Sequence, residues 1–370
     1  MPAVKAAKPN EIFTREEWAA LTHVSPLRGL WLAFHGWLLV AIFAGGTAWL
    51  WQWHWLAGLI ATPFAILLVG GRQLGLSILM HEAAHGLLHP DRKINNFVGE
   101  WFGGAATGSD LQAYRAYHLT HHRFTQQEED PDLSLSAPFP TTRASMKRKI
   151  IRDLTGQTFF KQRSSQFAKA WVGVKHMLTP FVLSLSKDRD ARRSYFDKLS
   201  TNGNSKRDTS AGRTLNNSSR AGIGAEPATV DGAIITAKTV GRFLLVHLLV
   251  LIVSLATLGI IPFLIWIVAL ATSFQLILRI RNIAEHACTT TGGDDPFSHA
   301  RTTYASWWER ISLAPYWVNY HSEHHLFMGV PCYHLAKANA LLIEKGYGPR
   351  MTLARNYGEV MRLVTQPAAA

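Results

Sequence analysis

Long apolar runs alternate with polar segments along the chain, and this pattern predicts four membrane-spanning helices. Residues 30–51 carry no Asp, Glu, Lys or Arg, and about 20 apolar residues suffice for a helix to cross a bilayer. A second run covers residues 55–71 and continues as a helical pattern to Met80. Residues 243–260 and 262–278 form another pair, joined at residues that break helices. We therefore expect an all-α integral membrane fold with two transmembrane hairpins.

Three segments between these runs differ from both a membrane helix and an ordinary loop. Residues 97–108 are apolar but too short to span, so an interfacial or re-entrant position is expected. Residues 141–180 mix aromatic side chains with lysines and arginines, which fits either a surface-lying amphipathic helix or a solvated loop. Residues 182–222 are polar and rich in turn formers, which predicts a mobile insert without a role in the chemistry.

The basic charge is concentrated in one part of the chain. The 370 residues have a formal net charge of +13. Residues 141–220 carry 18 Lys and Arg against five Asp and Glu, whereas the rest of the chain holds 20 of each kind. No nucleic-acid recognition motif accompanies this segment, so we expect no nucleic-acid partner. Cys288 and Cys332 are interpreted as two reduced thiols.

The apolar and polar segments define five regions along the chain. They are a cytoplasmic N-terminal segment (1–29), a first hairpin with interfacial helices (30–180), a polar insert or linker (181–234), a second hairpin (235–345) and a C-terminal tail (346–370). With four spans, both termini and the polar regions fall on one side of the membrane. Loops rich in Lys and Arg favour the cytoplasm. We therefore expect a cytoplasmic helical cap and a location in a bacterial inner membrane.

Histidine motifs follow the apolar runs and fall within this predicted cap. HEAAH places two histidines at i and i+4, whereas HLTHH and HSEHH each place three at i, i+3 and i+4, which share one face of a helix. A ninth histidine lies four residues after an asparagine in NIAEH. The candidate metal-site residues are His81, His85, His118, His121, His122, Asn282, His286, His321, His324 and His325.

Nine histidines are too many for one ion, because a zinc site in a protein takes three or four protein ligands. Two ions with about four nitrogens each, plus water or Asn282, would use the whole set. Imidazole suits zinc, copper, iron and nickel, so the ligand type alone does not name the metal. Four acids are candidates to orient the rings through their free N–H groups: Asp91, Glu100, Asp130 and Asp132.

The motifs in this order resemble the membrane fatty acid desaturase and hydroxylase family. Residues 117–133 (YHLTHHRFTQQEEDPDL) and 320–335 (YHSEHHLFMGVPCYHL) are especially similar, and the resemblance covers about residues 30–180 and 235–345. It implies a di-iron centre, with O2 as co-substrate, held by the histidines of the three boxes together with His286 and, through a water, Asn282. His89 also follows the first box but lies outside the family pattern, so we interpret it as a neighbour.

The resemblance further implies a membrane-bound oxidoreductase that forms a double bond in an acyl lipid. A lipid hydroxylase or a carotenoid ketolase of the same family is the alternative. Because no segment resembles a fused cytochrome b5 domain, electrons are expected from a separate ferredoxin or cytochrome b5 type of carrier. Such carriers are often acidic, and the basic residues of 141–180 could dock one.

Two other classes of protein fit parts of the pattern. HEAAH also matches HExxH, the zinc metalloprotease helix, with Glu82 as the general base, but this leaves both HxxHH boxes unexplained. A metal transporter would line its path with histidines inside the spans. Only His35 and His247 fall within the predicted spans.

Overall fold

The computed structural model describes residues 4–185, 229–293 and 295–365. Within these ranges the chain is mostly helical with one two-stranded sheet, which confirms the expected all-α fold. Four helical segments are long and apolar enough to cross a membrane, and each lies where the hydrophobic pattern predicts it. The predicted insert at 182–222 falls almost entirely outside the described residues.

The N-terminal half forms the first hairpin and part of the cap. Its helices are α1 (Pro9–Ile12), α2 (Arg15–Thr22), α3 (Pro26–Trp53), α4 (Trp55–His85), α5 (Arg92–Val98), a π-helix (Gly99–Gly104), α6 (Ala105–Thr107), α7 (Leu111–Phe124), α8 (Leu133–Ser136), α9 (Arg143–Leu154) and α10 (Gln157–Leu185). Helices α3 and α4 meet at His54, whose extended backbone ends α3. Its ring Nδ1 lies 3.2 Å from the amide nitrogen of Leu56 and caps α4, so a single residue makes the turn.

The C-terminal half contains the second hairpin and the rest of the cap. Its elements are α11 (Val230–Thr257), α12 (Ile261–Ala271), α13 (Ser273–His286), β1 (Arg301–Thr303), α14 (Trp307–Ser312), a 3-10 helix (Pro315–Trp317), α15 (His321–Leu326), α16 (Cys332–Glu344), a 3-10 helix (Gly348–Arg350), β2 (Thr352–Ala354) and α17 (Tyr357–Val364).

The fourth span consists of α12 and α13, which are separated by a break at Thr272. The hydroxyl of Ser273, directly after the break, donates a hydrogen bond to the carbonyl of Ile66 in α4 at 2.6 Å. Gly70 makes this approach possible, because a Cβ at that position would lie 2.2 Å from the Ser273 oxygen. The start of α13 is thus held against the middle of α4 by this contact.

The short apolar segment 97–108 is helical and packs directly against α4. A Cβ on Gly103 would lie 2.8 Å from the carbonyl oxygen of Leu76, so glycine allows the two backbones to touch. The rings of Phe97 and Phe102 remain exposed on the outer side of the segment. This segment supports the end of α4 from which the first histidine box projects.

The basic segment 141–180 forms helices α9 and α10, so the structure contains a surface helix region there and not a solvated loop. Helix α10 packs along α11, where Gly173 lies against the backbone of Ala233. Its outer face exposes Phe160, Phe167 and Trp171. Because α10 reaches Leu185 and α11 begins at Val230, helices extend into both ends of the region that the sequence assigns to the insert or linker.

The C-terminal region predicted as a tail contributes to the folded cap. Strand β2 pairs in parallel with β1, and α17 buries Tyr357, Val360 and Val364. The N-terminal segment also packs on the cap, since the ring of Phe327 contacts those of Phe13 and Trp18 at centroid distances of 5.1 and 5.6 Å. Both terminal segments therefore lie on the same side of the helical bundle as the histidine boxes.

Candidate metal centre

The nine predicted histidines come together in two adjacent groups, each with its ligand atoms within 4.8 Å of one another. Each group could hold a metal ion. The first group contains His81, His85, His118, His122 and His324; the second contains His121, His286, His321 and His325.

Two long helices place the first box and the ninth histidine. Helix α4 carries His81 and His85 on one face of its last turn and ends at Gly86, whose φ of 81° is a left-handed cap. Helix α13 ends at His286, which joins the second group. These residues therefore extend from the ends of two apolar spans into the cap.

The second box is divided between the two groups. Helix α7 begins at Asp110, whose carboxylate accepts hydrogen bonds from the amides of Gln112 and Ala113, both at 2.9 Å. Its histidines at i and i+4, His118 and His122, enter the first group, while His121 enters the second. Neighbouring residues on a helix point about 100° apart, so one box can supply both groups.

The third box shows the same division with the groups exchanged. On α15, His321 and His325 enter the second group and His324 enters the first. A strained turn precedes this helix, since Tyr316 and Trp317 have φ values of 54° and 58°, and such residues cost about 1–3 kcal/mol each.

The hydroxyl of Tyr316 anchors this strained turn. It donates to the carbonyl of Leu32 at 3.0 Å, and Gly36 leaves space for it in α3. The third box is thus held against the first hairpin by a contact that its sequence pattern does not reveal.

The inward-facing ring nitrogens have the spacing of ligands around a common ion. In the first group, the Nε2 atom of His122 lies 2.9 Å from His118 Nε2 and 3.0 Å from His324 Nε2. In the second group, His321 Nε2 lies 2.9 Å from His286 Nε2 and 3.0 Å from His325 Nε2. Two nitrogens at right angles on an ion with bonds of about 2.1 Å are about 3.0 Å apart, so both groups fit a metal ion.

Burial keeps most of these imidazoles neutral and able to coordinate. It holds the pKa of His118, His122 and His324 well below the ordinary value, and the neighbouring histidines lower it further. His121 differs: burial again disfavours its charged form, but the carboxylates of Asp130 and Asp132 raise its pKa overall. The centre therefore combines neutral donors with one ring that carboxylates polarise.

Several outer nitrogens of the rings have partners that fix their orientation. His121 Nδ1 lies 2.7 Å from a carboxylate oxygen of Asp130. His286 Nδ1 lies 3.1 Å from the carbonyl oxygen of His299, and His325 Nδ1 lies 3.1 Å from the hydroxyl of Thr125. Such partners leave Nε2 free to face the ion and set the tautomer of the ring.

Of the four acids considered from sequence, only Asp130 and Asp132 lie beside the centre. Asp132 is 3.8 Å from His121 Nδ1 and accepts a hydrogen bond from the hydroxyl of Tyr117. Asp91 instead caps α5 by accepting from two backbone amides. Glu100 accepts from the amide of Leu111 and lies 2.7 Å from Arg242.

Sequence reasoning missed two glutamates that contact the outer side of the rings. A carboxylate oxygen of Glu285 lies 3.3 Å from His321 Nδ1, and one of Glu82 lies 3.4 Å from His81 Nδ1. Both are adjacent in sequence to histidines of the centre, in HEAAH and NIAEH, and this adjacency was the available signal. The other oxygen of Glu82 accepts the amide of Cys332 at 2.8 Å, so Glu82 joins the end of α4 to the start of α16 in the cap.

Asn282 lies beside the second group, whereas His89 lies outside both groups. Asn282 is half-buried and lines a cavity together with His121, His286 and His321 of the second group. That group has one fewer histidine than the first, and Asn282 is the candidate further ligand beside it. His89 is not in either group, and its Nδ1 accepts the amide of Asp91 at 2.9 Å.

Four apolar spans with paired histidine groups at their ends define a membrane protein built around a candidate double metal centre. The family model for fatty acid desaturases matches residues 53–354, and the chain belongs to this family. It is also similar to a dihydrorhizobitoxine desaturase from Bradyrhizobium elkanii, with 24% identity over 285 residues that cover 76% of this chain and 68% of the relative.

Proposed function

We propose that this protein is an O2-dependent desaturase that holds two iron ions and forms a double bond in an acyl chain. The observation that carries the proposal is the sorting of nine buried or half-buried histidines into two adjacent groups, each with its ligand atoms within 4.8 Å of one another. The family match supports a desaturase, and the composition of the groups supports two metal sites.

The protein's residues would hold and orient the centre. The first group would bind one ion through five imidazoles, and the second would bind another through four, with Asn282 holding a water. Two irons bound here would use O2, two external electrons and two protons to remove two hydrogens from adjacent carbons, which yields a double bond and two waters. Asp130, Glu285 and Glu82 would keep the rings in place, and the burial of the centre would exclude bulk water.

The electrons would come from a separate acidic carrier of the ferredoxin or cytochrome b5 type. The exposed basic residues Lys147, Arg148 and Arg152 of α9 support docking of such a carrier near the cap. The positive-inside rule supports a cytoplasmic centre and cytoplasmic termini in a bacterial inner membrane. The carrier would approach from the side on which the boxes lie.

Metal analysis of the detergent-purified protein tests the double centre. We expect about two irons per chain in the wild type and fewer in His324→Ala, which affects the first group, and in His325→Ala, which affects the second. His89→Ala is the matched control, because His89 lies outside both groups, and it should keep the wild-type content.

Two results would overturn this assignment. One is a single zinc per chain that survives both substitutions in the groups. The other is a protein that, after iron reconstitution and supply of an electron donor, converts no acyl substrate to an unsaturated product by mass spectrometry. A hydroxylated product would instead assign the chain to the hydroxylase branch of the same chemistry.

A further inference from the structure

A cavity beside the first histidine group has a positively charged lining. It is a small, partly open cavity of about 40 Å³ between α4, α10 and α13, and it reaches His81 and Tyr114. Arg163 and Arg281 line it, while none of the described residues around it is Asp or Glu. The rest of the wall is partly apolar, with leucine, isoleucine, methionine and phenylalanine side chains, and partly polar, with serine, threonine and glutamine side chains. The cavity therefore combines an apolar wall with two cationic side chains.

The two arginines differ in how their charge is balanced. Arg281 pairs with Glu285 at 2.5 Å. Arg163 is only 5% exposed, and no carboxylate in the described part of the chain pairs with it. Its Nη2 donates to the carbonyl of Thr107 at 2.5 Å, and its Nη1 donates to Gln166, but its Nε has no hydrogen-bond partner among the described residues.

The surroundings of Arg163 are shaped to hold a guanidinium but do not neutralise it. Gly108 leaves the space it occupies, since a Cβ there would lie 2.1 Å from Nη1. The ring of Phe243 lies 4.6 Å from the guanidinium carbon, a contact that offsets only part of the cost of burying a cation. Burial accordingly lowers the pKa of Arg163 to about 10. A buried guanidinium without a paired carboxylate, beside a cavity, is suited to bind an anionic ligand.

We propose that this cavity binds the carboxylate of the substrate at Arg163 and presents the adjacent carbons to the histidine centre. This inference rests on the proposed desaturase function and narrows the acyl substrate to one with a free carboxylate. The Ser77 hydroxyl lies 3.3 Å from that of Thr107, whose carbonyl receives the Arg163 hydrogen bond. Ser77 precedes His81 by one helical turn, about 6 Å along the axis of α4. Arg163 and His81 line the same cavity, so a carboxylate held at Arg163 would direct the adjoining carbons towards the first histidine group.

Equilibrium dialysis of hexanoate and methyl hexanoate against the detergent-purified full-length protein tests this subsite. The wild type should bind hexanoate at least tenfold more tightly than the ester, because only the acid can pair with the guanidinium. Arg163→Gln should abolish the difference, and Arg163→Lys should retain part of it. Lys161→Gln is the matched control: it removes a charge from an exposed position on the same helix and should bind both compounds as the wild type does.

Equal binding of acid and ester by the wild type would overturn the proposal, as would a preference that survives Arg163→Gln. If Arg163→Gln does not fold, the wild-type comparison and Arg163→Lys still decide the question. Iron content is measured on the same samples. A protein that prefers hexanoate but lacks two metals would contradict the proposed function and support the anion subsite. A protein that holds two irons but shows no preference would support the proposed function and contradict the anion subsite.

Discussion

Replacement of Asp130 by asparagine should weaken the second metal group selectively. One carboxylate oxygen of Asp130 lies 2.7 Å from His121 Nδ1 and accepts the amide of Asp132 at 2.8 Å; the other accepts the amide of Gln126 at 2.8 Å. Asparagine has a single acceptor oxygen. Whichever way its amide is turned, an NH2 group faces either a backbone N–H or the His121 ring.

This geometry sets the size of the expected effect. An NH2 group facing Nδ1 would favour the tautomer of His121 that carries its proton on Nε2, and this tautomer cannot coordinate. Loss of a partner that orients a metal-bound histidine typically costs 10–100-fold in metal affinity, which corresponds to about 1.4–2.7 kcal/mol. The first group should be unaffected, because none of its five histidines contacts Asp130.

Competition with a chelator provides the assay, with metal retained per chain measured against chelator concentration. If each group holds an ion as proposed, Asp130→Asn should lose the ion of the second group at a chelator concentration 10–100-fold below that needed for the wild type. Asp91→Asn is the control, since Asp91 caps α5 and contacts neither group. Equal weakening of both ions in Asp130→Asn, or the same loss in Asp91→Asn, would refute the reasoning.

Two further predictions concern stability. The pKa values of His118, His122 and His324 are depressed in the folded chain, so below about pH 6.5 the unfolded chain binds more protons than the folded chain. The melting temperature of the metal-free protein should therefore fall as the pH is lowered from that point, and it should fall less steeply in His118→Gln. A melting temperature that does not change with pH would contradict this reasoning. Gly103→Ala should lower the free energy of unfolding by about 1–3 kcal/mol, because the added methyl group overpacks against α4. Gly241→Ala is the control: nothing lies within 4 Å of its added Cβ, so thermal denaturation should show a neutral or stabilising effect. Equal effects of the two substitutions would show that the close contact at Gly103 is unimportant.

The spans and the histidines could be predicted from sequence because each depends on a fixed length or period. A bilayer sets the number of apolar residues in a helix, and the helical repeat brings residues at i and i+4 to one face. The four spans are confirmed on that basis. The same repeat also explains the division of each HxxHH box, in which the i and i+4 histidines serve one group and the middle one turns to the other.

The remaining features depend on contacts between distant parts of the chain. No local pattern distinguishes the pairing of β2 with β1, because the strands have three residues each and lie 49 positions apart. The anchoring of Tyr316 on α3 likewise joins the two halves of the chain, and the partnership of Glu285 with His321 joins residues that are 36 positions apart. The terminal region looked like a tail because α17 is short, although Tyr357 and Val360 are buried.

Each histidine group combines residues from both halves of the chain, which affects how the protein can be assembled during synthesis. The first group needs His324 as well as His81 and His85, so a nascent chain that has inserted only its first hairpin lacks part of both groups. Each group is completed by residues from the last quarter of the chain: the first needs His324 and the second needs His325. The candidate metal centre can thus be completed only once both hairpins have met in the membrane, so a half-made chain lacks a full set of ligands in either group.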